Sequence, residues 1–173
     1  PVRIAPTWHG PAPVAAPLDV VEAHGVDLDP VDPHDEKARE RLLAYVWADQ
    51  PLRARRLDAA LSLARRHPPV VECGDALPWL TDQLAAPQPA GVCRVVVHSM
   101  VLQYLTTADR AAINGAIARA GDRATADRPL ARIGFEWAPA RDEVRLVLTC
   151  WPSGTARVLA TCHAYGDWIA WLR

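Results

Sequence analysis

Short apolar runs and longer amphipathic stretches alternate along this chain. The runs are rich in valine, isoleucine and leucine and are bounded by glycine, proline or aspartate, a combination typical of buried strands. The predicted strands are 19–28, "PVVEC", "VCRVVVH", "LARIGFEW", "EVRLVLTCW" and "ARVLATCHAY". A helical pattern follows each of the first three strands, whereas the later strands follow one another. This order predicts an α/β fold with a mostly parallel sheet and an antiparallel edge.

The predicted helices have recognisable starts. One begins at about Asp35, whose neighbouring acids suit a helix N terminus, and a second has Pro51 near its start. A third lies within "GDALPWLTDQLAA". A fourth spans 106–120, with Thr107 as its predicted N-cap.

The two ends of the chain are predicted from their turn-forming residues. Residues 1–18 are rich in proline and alanine, so we expect an extended connection there rather than a central strand or a helix. Near the other end, "WPSGT" predicts a hairpin turn between two strands, and "GDWIAWLR" predicts a last strand or helix. Residues 19–173 are therefore expected to form one α/β domain.

Composition limits what the protein binds. The 173 residues are 50% hydrophobic and 23% charged, which suits one soluble domain with a sizeable core. The formal net charge of -1 gives no electrostatic footprint for nucleic acid or for an anionic membrane. No apolar stretch is long enough to span a bilayer. We therefore expect a small-molecule ligand and neither a nucleic-acid nor a membrane partner.

The four cysteines are Cys73, Cys93, Cys150 and Cys162, and none belongs to a C-x-x-C pair. Three of them lie in or beside apolar runs, so we expect buried, reduced thiols in a cytoplasmic protein. Cys162 stands next to His163, but no second pair has the spacing of metal ligands. No metal is expected.

Polar side chains stand at the carboxyl ends of three predicted strands. Asp27 ends the first, Asp75 comes just past the second, and His98 and Ser99 end the third. The carboxyl ends of parallel strands meet at one edge of a sheet, where open α/β folds bind their ligands. A carboxylate there suits the paired hydroxyls of a ribose, and a second one suits an adenine amino group. The sequence therefore predicts a ligand crevice lined by these residues.

Three segments resemble class I S-adenosylmethionine-dependent methyltransferases, which have a Rossmann-like fold. The similar segments are "GVDLDPVDPHDEKARERL", "VVECGDALPWL" and "RVVVHSMVLQYLTTADRAAINGAIARAG". They correspond to the second, third and fourth strands of that family and to the helices that follow. The resemblance implies that Asp27 holds the ribose of S-adenosylmethionine and that Asp75 and Ala76 contact its adenine.

The same resemblance implies a substrate-binding region at the end of the fourth family strand. His98 is the candidate general base for methyl transfer. The candidate substrate-lining residues are Ser99, Gln103, Tyr104 and Glu136.

Taken whole, the chain resembles the carboxyl-terminal half of an uncharacterised bacterial family, domain of unknown function 2332. The resemblance covers nearly all of the chain and rests on "GVDLDPVD", "AYVWADQPLRARRLDAA", "VVVHSMVLQYL" and "HAYGDWIAWL". Members carry a glycine-rich first-strand segment upstream, whereas the nine glycines here include no G-x-G cluster. The resemblance therefore implies a truncated domain without its first strand and glycine-rich loop, inactive alone, with S-adenosylmethionine bound by the full-length parent.

Loss of a first strand has a consequence for the sheet, because that strand is normally its central member. An unpaired hydrophobic strand edge favours association with another chain. We therefore expect the chain either to self-associate through an exposed sheet edge or to rearrange its sheet.

The same residues allow other functions. One is a non-catalytic ligand-binding or scaffold module, because a fold does not dictate a function. A remote alternative is a phosphatase of the haloacid dehalogenase type that uses Asp27 and Asp29. Structural roles also remain open: Asp27 as a cap of the turn before Pro30, Asp75 as a helix cap and His98 as a core histidine.

Overall fold

The computed structural model describes residues 2–172. They form a mixed α/β protein of two compact units. The first unit contains residues 2–4 and 17–76, and the second contains residues 5–16 and 77–172. The α/β class predicted from the order of elements is confirmed.

Within residues 2–172 the structure has eight strands, four α-helices and one 3-10 turn. The strands are β1 Thr7–His9, β2 His24–Asp27, β3 Val70–Cys73, β4 Arg94–Ser99, β5 Leu130–Trp137, β6 Val144–Trp151, β7 Thr155–Cys162 and β8 Trp168–Trp171. The helices are α1 Glu36–Ala44, α2 Pro51–Arg66, α3 Ala76–Ala85 and α4 Thr107–Gly121, and the 3-10 turn is Leu102–Tyr104. Each of the four predicted helices is present, and the closing segment is a strand. In this part of the chain no helix has the length and apolar character needed to cross a membrane.

The first unit is built on a parallel pair of strands, β2 and β3. His24 lies opposite Val70 and Asp27 opposite Cys73, so both strands end at the same edge. The strand predicted over 19–28 is shorter than expected, because only its residues 24–27 pair with a neighbour.

Helices α1 and α2 connect β2 to β3. The N-cap of α1 is Asp35, whose side chain accepts a hydrogen bond from the Lys37 backbone N–H at 2.9 Å. Arg39 of α1 donates to Asp58 of α2 at 2.9 Å, and Leu61 of α2 is buried. The two helices thus form the crossover that a parallel strand pair requires.

The second unit is built on a six-stranded sheet in the order β1-β8-β7-β6-β5-β4. The pairs at its two ends, β1 with β8 and β4 with β5, are parallel. The three pairs between them are antiparallel, and the hairpin predicted around "WPSGT" is the β6–β7 pair. The three strand ends expected at one edge are therefore divided between two sheets, because β2 and β3 do not join this one.

The proline-rich segment near the N terminus contributes the edge strand β1. It pairs in parallel with β8, with Thr7 opposite Trp168. The Trp8 ring packs edge-on against Trp171, with ring centroids 6.4 Å apart. A short strand fits beside prolines because Pro6 lies just outside it and an edge strand needs hydrogen bonds on one side only.

One face of the six-stranded sheet carries a compact apolar cluster. Its buried members are Val144, Ala160 and Cys162, and Phe135 and Trp137 pack against them. These residues come from the neighbouring strands β5, β6 and β7, so the cluster stabilises the antiparallel part of the sheet.

Helix α4 lies on the other face of the sheet. Ile113, Ala116 and Ile117 are buried along its length. At its end, Gly121 lies directly against the indole of Trp151 in β6, and a Cβ atom at this position would overlap that ring. The absence of a side chain therefore permits the close approach of helix and strand.

The N-cap of α4 is Thr106, so the prediction of Thr107 is wrong by one residue. Thr106 has an extended backbone, and its side-chain oxygen accepts a hydrogen bond from the Asp109 N–H at 3.1 Å. The Thr106 hydroxyl also donates to the Asp109 carboxylate at 2.6 Å. This reciprocal contact fixes the start of the helix at Thr106.

All four cysteines are free, and three of them are exposed. The expected burial holds for Cys162, where burial also raises the pKa of the thiol. It is wrong for Cys73, Cys93 and Cys150, because an apolar run does not bury a side chain at the end of a strand or on an uncovered face.

The contact between Gly121 and Trp151 makes a prediction about stability. Gly121→Ala should lower the free energy of unfolding by about 1–3 kcal/mol, because the added methyl group displaces the indole. Gly115→Ala in the same helix is the matched control. A Cβ there meets only the mobile end of the Arg119 side chain at 3.1 Å, so this change should raise stability by about 0.5–1 kcal/mol. Urea unfolding followed by far-UV circular dichroism measures both, and equal effects would contradict the packing at Gly121.

Candidate functional site

The first unit brings the predicted cofactor-binding residues to one edge. Asp27 ends β2, and its backbone carbonyl accepts a hydrogen bond from Gly74 N–H at 3.0 Å. Asp75 follows Gly74, and Ala76 opens α3. The parallel register of β2 and β3 therefore places these residues together, as the sequence predicts for this pair of strands.

The acidic turn after β2 is internally bonded. Asp27 Oδ1 accepts a hydrogen bond from Asp29 N–H at 2.9 Å, and the Asp29 carboxylate pairs with Arg41 at 3.0 Å. Arg41 therefore already engages the carboxylate that a haloacid-dehalogenase-type phosphatase would use as its proton donor. No group of three His, Cys, Asp or Glu side chains in residues 2–172 is arranged to hold a metal ion.

The second unit joins His98 and Glu136, which the sequence offered as separate candidates. His98 near the end of β4 lies opposite Gly134 of β5, and its Nδ1 lies 2.8 Å from Glu136 Oε1. On the other side of the ring, Arg132 Nε donates to His98 Nε2 at 2.9 Å. Since Nε2 accepts, the proton of the neutral ring lies on Nδ1 and is donated to Glu136.

A glycine makes room for the imidazole. A Cβ at Gly134 would come within 2.9 Å of His98 Cε1. The ring is held on both sides by hydrogen bonds, so it has little freedom to move away. Gly134 therefore allows His98 to lie across β5 between Arg132 and Glu136.

Glu136 also fixes the turn that follows β4. Besides His98, its Oε1 accepts hydrogen bonds from the backbone N–H groups of Val101 at 3.1 Å and Leu102 at 3.4 Å. The residue before them, Met100, has a φ of 53°, a left-handed conformation that a side chain such as methionine rarely adopts. The carboxylate thus holds an unfavourable backbone conformation at the strand end.

Arg132 extends the network to α4, where its guanidinium donates to Asn114 Oδ1 at 2.8 Å. Neither Arg132 nor Asn114 was identified from the sequence. A signal was present, because residues 132, 134 and 136 alternate along one strand and therefore share a face. Two opposite charges flanking a glycine in an otherwise apolar strand indicate a partly buried polar cluster.

The environment changes the acid–base behaviour of this network. Burial lowers the pKa of His98 below its ordinary value, and the positive charge of Arg132 lowers it further, whereas Glu136 acts in the opposite direction. Burial also lowers the pKa of Arg132, against the effect of Glu136. The imidazole is therefore held neutral, as a bridge between a carboxylate and a guanidinium.

The remaining candidates lie around the turn after β4. Gln103 donates to the carbonyl of Met100 at 3.0 Å and accepts a hydrogen bond from Arg141 at 3.0 Å. Ser99 is exposed, and Tyr104 is 82% exposed. Gln103 thus supports the turn, while Ser99 and Tyr104 are open to solvent.

A family model for an uncharacterized protein conserved in bacteria, domain of unknown function 2332 (DUF2332), matches residues 1–171. The chain belongs to this family. The match covers both units, so the edge formed by β2 and β3 and the Glu136 network are parts of one DUF2332 sequence. No curated protein and no solved structure matches the chain.

The pKa of His98 predicts how the stability of the DUF2332 chain depends on pH. The unfolded imidazole has a pKa of about 6.5, and the folded one is lower, so the unfolded state binds the proton more tightly. This contribution to stability is fully present above about pH 6.5 and is lost as the pH falls from there through the folded pKa. Urea unfolding between pH 7.5 and 5 should show a larger loss for the wild type than for His98→Gln. Equal losses of stability in the two proteins would contradict a lowered pKa of His98 in the folded state.

Removal of the Glu136 carboxylate should loosen the turn after β4. Glu136→Ala leaves three donors without their acceptor and should lower the free energy of unfolding by about 2–4 kcal/mol. Glu143→Ala is the matched control, because Glu143 pairs with Arg145 in a half-exposed setting and should cost under about 1 kcal/mol. Chemical unfolding of both variants provides the measurement, and a smaller loss for Glu136→Ala would contradict the network.

Proposed function

We propose that this DUF2332 chain is a Rossmann-like, methyltransferase-type domain that binds S-adenosylmethionine at the carboxyl ends of β2 and β3. One observation carries the proposal. β2 and β3 pair in parallel with Asp27 opposite Cys73, which puts Asp27, the turn at residues 74–75 and Ala76, the first residue of α3, at the same edge. Open α/β sheets hold nucleotide-like ligands at such an edge.

The residues at this edge fit the chemistry of a nucleoside. Asp27 is exposed, and its Oδ1 accepts the Asp29 N–H. A carboxylate offers about four acceptor positions, so Asp27 retains capacity for the hydroxyls of a ribose. Asp75 is also exposed, and Ala76 contributes a methyl group at the start of α3, which suits the apolar face of an adenine.

The residues proposed to bind the methyl acceptor lie at the end of β4, in the turn after it and in β5. These are His98, Ser99, Gln103, Tyr104 and Glu136. Bound S-adenosylmethionine would supply an electrophilic methyl group, so the protein has to position the acceptor and receive its proton. His98 Nε2 already accepts a hydrogen bond from Arg132. Action of His98 as a general base therefore requires that bond to open first.

A second candidate function is a non-catalytic ligand-binding or scaffold module on the same fold. It is favoured by the engagement of both ring nitrogens of His98, one with Glu136 and one with Arg132. A histidine held in this way positions the neighbouring backbone and exposes no free base to a substrate.

The proposal also covers location and partners. A small-molecule ligand agrees with the formal net charge of -1, which gives little attraction to nucleic acid. Free thiols at all four cysteines suit the reducing conditions of the cytoplasm, where we place the protein.

Calorimetric titration of S-adenosylmethionine into the natural full-length protein tests the proposal. We expect the wild type to bind and Asp27→Asn to bind about tenfold more weakly, because an amide accepts hydroxyl hydrogen bonds less strongly than a carboxylate. The asparagine keeps an oxygen for the Asp29 N–H, so the turn should survive. Asp49→Asn, in the exposed turn between α1 and α2, is the matched control and should bind like the wild type.

Two results would count against the proposal. A folded wild-type protein that does not bind S-adenosylmethionine would favour the non-catalytic alternative, and the edge would then be screened with other nucleosides. Equal binding by the wild type and Asp27→Asn would show that S-adenosylmethionine does not bind at the end of β2.

A further inference from the structure

The two end strands of the six-stranded sheet differ in how their outer edges are protected. β1 is three residues long and lies between Pro6 and Gly10, which limits further pairing. β4 is six residues long and contains no proline, lysine or acidic residue. Among the described residues, no strand pairs with its outer edge. β4 therefore offers a template for an additional strand.

The hydrogen bonds to β5 determine which backbone groups of β4 point outward. The N–H of Arg94, the first residue of β4, donates to the carbonyl of Pro129 just before β5 at 3.0 Å. The N–H of Met100, just after β4, donates to the carbonyl of Phe135 in β5 at 2.9 Å. Alternate residues of a strand direct their N–H and C=O groups to opposite sides, so the even-numbered residues bond to β5. The N–H and C=O groups of Val95, Val97 and Ser99 therefore point away from the sheet.

Two of these odd-numbered residues also have exposed apolar side chains. Val95 is 46% exposed and Val97 is 67% exposed. Their partners on β5 are Ala131 and Ile133, so the exposed valines continue the apolar face of the sheet. Valine favours strands, and an apolar strand with outward-pointing backbone groups is suited to strand addition.

We propose that β4 pairs in antiparallel fashion with β4 of a second copy of this chain, around a two-fold axis at Val96. Val95 then lies opposite Val97 of the second copy, and by symmetry Val97 lies opposite Val95 of the second copy. Outward backbone groups meet only when an odd-numbered residue faces an odd-numbered one. Among such registers, this one sets each exposed valine against another valine, which stabilises antiparallel pairs.

The charges near β4 agree with a second copy as the occupant. In this register Arg94 lies opposite His98 of the second copy. The Arg94 guanidinium is already held by the carbonyl oxygens of Leu84 and Ala86 at 3.3 and 2.9 Å, and His98 is bonded to Glu136. Because Arg94 faces the neutral imidazole of His98 and not a second cation, the two-fold pairing sets no like charges directly opposite each other. The same surface thus complements itself, as a two-fold dimer requires.

Size-exclusion chromatography with light scattering, run on the full chain over a range of concentrations, tests the proposal. We expect a dimer whose fraction rises with concentration. Val97→Lys places a charge opposite Val95 of the second copy and does so twice, so the dissociation constant should rise about tenfold or more. Val158→Lys is the matched control, because Val158 is a 40% exposed valine on the interior strand β7, and the dimer should be unchanged.

A milder variant and a second measurement guard against misfolding of Val97→Lys. Val97→Thr keeps the shape of the side chain and should weaken the dimer in the same direction. Hydrogen exchange should be slow at the N–H groups of Val95 and Val97 in the dimer and faster in the variants.

A wild type that stays monomeric would overturn the proposal, and slow exchange in that monomer would assign the edge to another segment of the natural polypeptide. A dimer as sensitive to Val158→Lys as to Val97→Lys would overturn it too.

Discussion

One oxygen of the Glu136 carboxylate accepts hydrogen bonds from three groups: the His98 ring and the backbone N–H groups of Val101 and Leu102. A partly buried anion needs such donors, because its desolvation is otherwise costly. The turn after β4 needs an acceptor, because the N–H groups of Val101 and Leu102, which follow the left-handed Met100, both point to the same place. The donors of the turn stabilise the Glu136 carboxylate, and the carboxylate holds the turn in place. Together they fix the position of the end of β4 relative to β5.

The helices were predicted from local signals and are present because those signals act locally. Asp35 caps α1 through its own side chain, and Pro51 opens α2 where a missing N–H has no cost. Strand pairing depends on residues far apart in the sequence, and there prediction was weaker. The residues before His24 carry an apolar run but no partner strand, and Thr7–His9 form a strand among prolines because β8 is available to pair with them.

The candidate site was predicted residue by residue but not as a network. Asp27 and Asp75 were expected at the ends of neighbouring parallel strands, and the register of β2 and β3 agrees with that expectation. His98 and Glu136 were both named, yet their contact depends on the β4–β5 register, which sequence periodicity does not fix. Arg132 was missed for the same reason: its relation to His98 exists only once Gly134 lies opposite the imidazole.

The pairing of β1 with β8 has a consequence for biosynthesis. Thr7 lies opposite Trp168, so β1 pairs with a strand that follows it far along the sequence. On the ribosome, β1 emerges before all the other strands of its sheet and remains without its partner until β8 has been translated. During that time it is exposed to wrong partners, and Pro6 together with Gly10 and Pro11 makes the segment a poor template for them. The prolines that argue against a strand here therefore protect one whose partner strand is synthesised much later.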